Sequence, residues 1–296
     1  MKFDVKKRAV LRTAVIAAIA AAVLIVILWA GALVYNNLSF SGDEAFAKRV
    51  DAAILLAEKW VETHKVDISE KKNVTIVTML RECNELKANP VFGGIVKSFL
   101  NTPIRHYTAC WKRQVDPSRP INQRDLDEAM EKEPIDNKWI LYAIAPDQVK
   151  ITPQEMHLFD QERWHRWKLI RQLNALIILR KTKGANEELD TLIEHLCKRL
   201  SSGLVFDIAV VDIYIQKVAF ILRAGQAEQI SRRWVERIIA NQLPDGGWND
   251  RWFCFTSGRR PAFGFATPPS NQHTTLQALT ALYLVRYQYP KHFGLK

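Results

Sequence analysis

The sequence has no Gly-x-Ser-x-Gly, no His-Glu-x-x-His and no phosphate-cradling glycine loop, so the common hydrolase and nucleotide-binding signals are missing. Cysteine is scarce: Cys83, Cys110, Cys197 and Cys254 are the only four, with no CxxC spacing among them. Zinc-ribbon and thioredoxin arrangements are thereby excluded. A Cys83–Cys110 bridge stays open, because geometry decides disulfides. Glycine and proline number only 12 each among 296 residues, of which 48% are hydrophobic and 25% charged, which rules out disordered, collagen-like and low-complexity chains. No run of strand period matches the helical runs in length, and the expected fold is all-α.

Charge is absent from one long segment. Ala14 to Tyr35 runs 22 residues without a charged side chain, enough helix at about 1.5 Å per residue to cross about 30 Å of hydrocarbon. Lys2, Lys6, Lys7, Arg8 and Arg12 precede it with Asp4 the one acid, and Asn36, Asn37, Ser39 and Ser41 follow. Positive flanks stay inside, so residues 1–13 are expected as a cytoplasmic stub and 14–35 as a single-pass helix of the inner (plasma) membrane, with the bulk extracytoplasmic. Trp29 and Tyr35 suit the exit interface. Ala30-Gly-Ala32 resembles a signal cleavage site, but the apolar run is longer than the usual signal core of about 7–15 residues.

The stub takes four units of the formal net charge of +11, leaving +7 on the remainder. Such an excess favours an anionic envelope polymer or lipid as partner, alongside the bilayer contacted by 14–35. The compartment argues against nucleic acid. The clusters Arg163-Arg166-Lys168-Arg171, Lys198-Arg199, Arg232-Arg233 and Arg259-Arg260 sit beside apolar residues, as solvated helix faces do. Asn37-Leu-Ser39 and Asn73-Val-Thr75 form glycosylation sequons.

Beyond the anchor, residues 43–153 read as a helical region whose second half, from Asn101, holds six of the 12 prolines and is expected to be an irregular connection with short helices. Residues 154–296 read as a separate helical domain. Within it Asn174–Arg180, Lys217–Arg223 and Thr280–Arg286 are nearly wholly apolar helix ends closed by arginine, 43 and then 63 residues apart. The first two lead through Gly184 or Gly225 into a more amphipathic helix, Leu189–Leu200 or Ile230–Ile239. Apolar helices alternating with amphipathic ones fit a two-layer ring, and ordinary helical hairpins equally.

Gln242-Leu-Pro-Asp-Gly246-Gly247-Trp248, preceded by Ile238-Ile239 and followed by His273-Thr-Thr-Leu-Gln-Ala-Leu-Thr-Ala-Leu-Tyr, resembles the repeat of the terpenoid cyclase and protein prenyltransferase superfamily. The resemblance implies a partial or divergent α/α toroid of helical hairpins. Two glycines permit a sharp turn through positive φ, Trp248 covers apolar surface between helices, and Gln242 is expected to satisfy a neighbouring helix terminus.

The cyclase motif Asp-x-Asp-Asp does not occur. The nearest run, Asp125-Leu-Asp127-Glu128, reads as the acidic first turn of a helix. Zinc in the prenyltransferases is held by Asp, Cys and His. Here Asp250, Cys254 and His273 are the similar residues, with Asp and Cys four apart rather than flanking one residue; the preferred explanation is His273 as a helix-start residue and Cys254 as a packed or oxidised thiol, with zinc the lesser alternative. Asp245, Asp250 and His273 are the candidate catalytic groups. Asp207 and Asp212, five apart, point in different directions and make no acid–base pair. The loop with Trp248, Trp252, Phe253, Arg259 and Arg260 offers a ligand-binding platform, or a cover for the core. The expected function is therefore a membrane-anchored helical protein binding an envelope ligand or partner protein. An enzyme of the same fold acting on a polyprenyl or polysaccharide substrate is the alternative.

Overall fold

The computed structural model describes residues 2–39, 41–71, 73–103, 107–149, 166–207, 209–250 and 269–295. Among the described residues there is no strand, and the protein is all-α. Helix α1 (Lys2–Asn37) is one continuous rod. It is long and apolar enough to cross a membrane: the most apolar 18-residue window within Arg12–Asn37 has mean hydropathy 2.8 and packs inside nothing. The helix thus continues two residues past Tyr35, a difference that matters for what its last turn touches.

The helices that follow are α2 (Asp43–Thr63), α3 (Lys65–Lys71), α4 (Val74–Leu86) and α5 (Pro90–Asn101). Between 101 and 149 come only short ones, α6 (Lys112–Val115), α7 (Gln123–Lys132) and α8 (Ile135–Ile144), amid turns, as the prolines there dictate. They are not a mere surface connection, because Leu126, Trp139 and Leu141 are fully buried. The C-terminal series is α9 (Arg166–Lys183), α10 (Glu187–Phe206), α11 (Asp212–Arg223), α12 (Arg232–Ala240) and α13 (Gln272–Tyr283), the last running into a π turn at Leu284–Gln288. Starts are set locally: Asn73, Asn89, Asn122, Asn186, Ser231 and Asn271 each cap the first turn of the following helix with a side-chain oxygen.

Burial alternates along this series. Helices α9, α11 and α13 are covered on most sides; every residue of α13 except His273 is buried. Helix α10 buries one stripe, Leu189, Ile193, Leu196, Leu200 and Leu204. It packs on α9 and α11, while α12 packs on α11, α13 and α2, and α4 closes on α13. One hydrophobic core runs from Phe46 to Leu295 through both halves of the chain. Across its middle lies a buried polar knot: Arg223 of α11 donates to both carboxylate oxygens of Glu82 of α4, at 2.7 and 3.0 Å, and to Asn174 of α9, at 3.1 Å. Lys181 of α9 adds a bond of 2.8 Å to Glu82.

Three sequence expectations need correction. Cys83 and Cys110 do not bridge; with Cys197 they are free and buried, and burial pushes each thiol up to about 12. Only Gly246 of the glycine pair has positive φ, at 89°. Gly247 is required for space instead, since a Cβ there would lie 2.5 Å from Ser270 Cβ. The Arg232-Arg233 pair is no solvated face, for reasons given next.

Candidate functional site

A dense polar constellation lies where α1 meets the rest of the fold. Asn36, buried at the end of α1, donates to the carbonyls of Leu204 (2.9 Å) and Val205 (2.6 Å) at the C-terminus of α10. Asn37 donates to Val205 O at 3.1 Å and accepts from Trp234 Nε1 at 3.1 Å. A helix end leaves carbonyls without intrahelical partners, and two amides from another helix supply them here. Arg233 Nε donates to Tyr35 O at 2.8 Å, with its guanidinium 4.5 Å from the Tyr35 ring centre. Trp29 stacks on Phe206, ring centroids 6.3 Å apart and planes within 11°.

The linker after α1 is held as firmly. Arg232 donates to Asp43 Oδ1 (2.5 Å), Ser41 O (3.0 Å) and Gly42 O (2.7 Å). Glu236, fully buried, accepts from Ser39 Oγ at 2.8 Å and pairs with Arg233 at 3.3 Å. Arg49 of α2 bridges Ser41 Oγ and Glu236 O, at 3.2 and 3.4 Å. Helix α12 thus serves as a latch plate for the end of α1. Two signals stand in the sequence, the Asn36-Asn37 pair closing an apolar run and the Arg232-Arg233 pair opening a helix, but nothing local joins them. Asn37 is also engaged on both sides of its amide, so a glycan on that sequon would break the latch.

The tryptophan turn is a structural clip. Trp248 is 1% exposed; its indole donates to Ile238 O at 2.8 Å and its backbone N to Thr275 Oγ1 at 2.9 Å, tying α12 to α13. It offers no face to a ligand. Gln242 donates to Ala53 O inside α2 and to Gly246 O, both at 2.9 Å, so it stitches the turn to a mid-helix carbonyl instead of a terminus. Asp245 closes the same turn, accepting from Gly247 N (3.0 Å) and Ser270 Oγ (2.5 Å). Although partial burial opposes it, these bonds hold its carboxyl below the usual range.

His273 faces another way. It lies half-exposed at the start of α13, its Nε2 at 3.8 Å from Asp212 Oδ2, 3.1 Å from Gln216 Nε2 and 2.8 Å from Gln277 Nε2. Asp212 accepts from Gln216 (2.5 Å) and Thr274 Oγ1 (3.1 Å). Burial raises the Asp212 carboxyl, Asp250 adds in the same direction, and His273 opposes. Asp250 and His273 therefore share the surroundings of Asp212, a residue not singled out for chemistry, whereas Asp245 turns to Ser270. Asp207, five residues before Asp212, pairs with the buried Lys217 at 2.5 Å. Among the described residues no three His, Cys, Asp or Glu side chains gather to hold a metal. Trp252, Phe253, Cys254, Arg259 and Arg260 lie outside the described residues. The chain matches no known family model, no curated protein and no solved structure.

Proposed function

We propose that the chain is a single-pass membrane protein with its N-terminus in the cytoplasm. Its extracytoplasmic helical part, a divergent α/α toroid of the cyclase and prenyltransferase kind, is held in one attitude on the bilayer and binds an anionic envelope ligand or a partner protein. The observation that carries the reading is the latch: a helix whose most apolar window is buried in nothing is nevertheless fastened through its last turn by Asn36, Asn37 and Arg233, and through the linker that follows by Arg232. A flexible tether needs no such fastening, whereas a surface that must face a membrane-bound ligand does. The alternation of all-round-buried and one-faced helices supports the two-layer arrangement, and the excess of +7 outside the stub supports an anionic partner.

The test has two arms. The full chain in liposomes is expected to float with the vesicles and resist alkaline carbonate extraction; release by carbonate would remove the anchor. Reconstituted protein is then titrated with acidic polysaccharide and with anionic vesicles. Changing Trp252, Arg259 and Arg260 to Ala is expected to weaken binding, and unaltered binding would remove the aromatic loop as its seat.

The enzyme reading retains one supporting observation, the half-exposed His273 beside the raised carboxyl of Asp212, a pairing able to shuttle a proton. Turnover of polyprenyl phosphate or polysaccharide that disappears in both His273→Ala and Asp212→Asn would favour it over simple binding.

A further inference from the structure

We infer that Phe206, at the C-terminal end of α10, enters the outer leaflet beside α1, giving the folded part a second lipid contact of its own. The inference rests on the reading of α1 as membrane-spanning. Counting from Arg12, about 20 helical residues cross about 30 Å of hydrocarbon, which puts the exit near residue 32 and Trp29 about 4.5 Å to its hydrocarbon side, deeper than the interfacial place expected for it from sequence. Phe206 stacks on Trp29 and must share its depth. Even with that ring against it, Phe206 is 54% exposed, and what lies beside α1 at this level is acyl chain.

The terminus is fixed to α1 just beyond that exit: Asn36 and Asn37, about 6–8 Å past residue 32, donate to Leu204 O and Val205 O. Those carbonyls are thus met by protein at headgroup height, while the Phe206 ring reaches inward to Trp29. Charge is arranged consistently. Asp207, the next residue, is neutralised by Lys217. Arg233 lies over Tyr35, about 9 Å further along the axis than Trp29, at the height of lipid phosphates. The partner is therefore the bilayer that α1 spans. A second copy of the chain would need a matching apolar face at the same depth, and burying Phe206 against it would make the contact depend on protein density.

The experiment uses the full chain with Cys254→Ser and Phe206→Cys, labelled with an environment-sensitive fluorophore in phosphatidylcholine–phosphatidylglycerol vesicles. The remaining thiols Cys83, Cys110 and Cys197 are buried and do not compete. The label is expected to emit blue-shifted light and to be quenched by lipids bearing a nitroxide near the top of the acyl chain, and to resist aqueous iodide. A label at Lys97→Cys, on the exposed side of α5, should behave oppositely. Ser202→Cys, an exposed position one turn earlier on α10 that replaces no packed side chain, should report headgroup depth and guards against misfolding at 206. Iodide quenching at 206 equal to that at 97, in protein that still floats and resists carbonate, overturns the inference while leaving the anchor intact. Loss of flotation overturns both. Lipid quenching that falls as the protein-to-lipid ratio rises identifies a second copy as the occupant and also overturns it.

Discussion

Glu82 shows how a buried charge is tolerated. Burial alone would raise its carboxyl, but Arg223 and Lys181 override that and hold it at about 2. A carboxyl lowered on folding binds fewer protons in the folded state than in the unfolded one, so its contribution is complete above the ordinary carboxylate value and is lost as pH falls through the folded one. From about 4.5 down to about 2, this group alone should cost about 3 kcal/mol of stability. Urea melts in detergent across that range are expected to be flatter in Glu82→Gln than in the parent; parallel curves would show that the knot does not titrate. A second residue-scale contrast comes from glycine. Gly184 and Gly246 both have positive φ, 90° and 89°. A Cβ on the first would meet nothing within 4 Å, and on the second would lie 2.3 Å from the Leu56 carbonyl oxygen. Gly184→Ala should therefore cost about 1–2 kcal/mol, the left-handed penalty alone, and Gly246→Ala clearly more, because backbone of α2 cannot yield as a side-chain end does. Thermal unfolding of the pair decides.

At the scale of elements, the anchor and α12 act as one body because their bonds span both the helix end and the linker. Asn36→Ala with Arg233→Ala removes the bonds on Leu204 O and Tyr35 O without touching the apolar span. Flotation should persist while added protease gains access to the linker at 38–42; a linker as resistant as in the parent would show that the remaining bonds suffice. This junction also marks the limit of what was legible in the sequence. The helical character of α2, α4, α10 and α13 was legible from local apolar patterning, whereas the caps Asn73, Asn186 and Asn271 emerge only in the structure. The Gly-Gly-Trp clip was legible because its bonds stay within the flanking helices, Trp248 reaching Ile238, Asn271 and Thr275. The latch joins positions 35–43 to 204–206 and 232–236. Arg232 and Arg233 have the composition of a solvated face, and only the approach of α1 turns them into partly buried donors. Gln242 shows the same limit on a smaller scale, its partner Ala53 lying in an element nearly two hundred residues away.

For the whole molecule, packing runs across residue 153. Helix α4 supplies Glu82 to Arg223 of α11 and closes on α13, α2 packs on α12 and α13, and α8 packs on α9. Neither half could open without exposing the apolar faces and uncompensated charge of the other, the condition for a single cooperative transition. The three buried thiols report this from different places: Cys83 on α4, Cys110 just before α6, and Cys197 on α10. In Cys254→Ser protein held in detergent, all three are expected to become reactive towards a thiol reagent over one interval of rising denaturant, coinciding with loss of helical circular dichroism. Exposure of Cys110 well before Cys197 would show that the region before 153 unfolds on its own, and the shared core would then have to be divided.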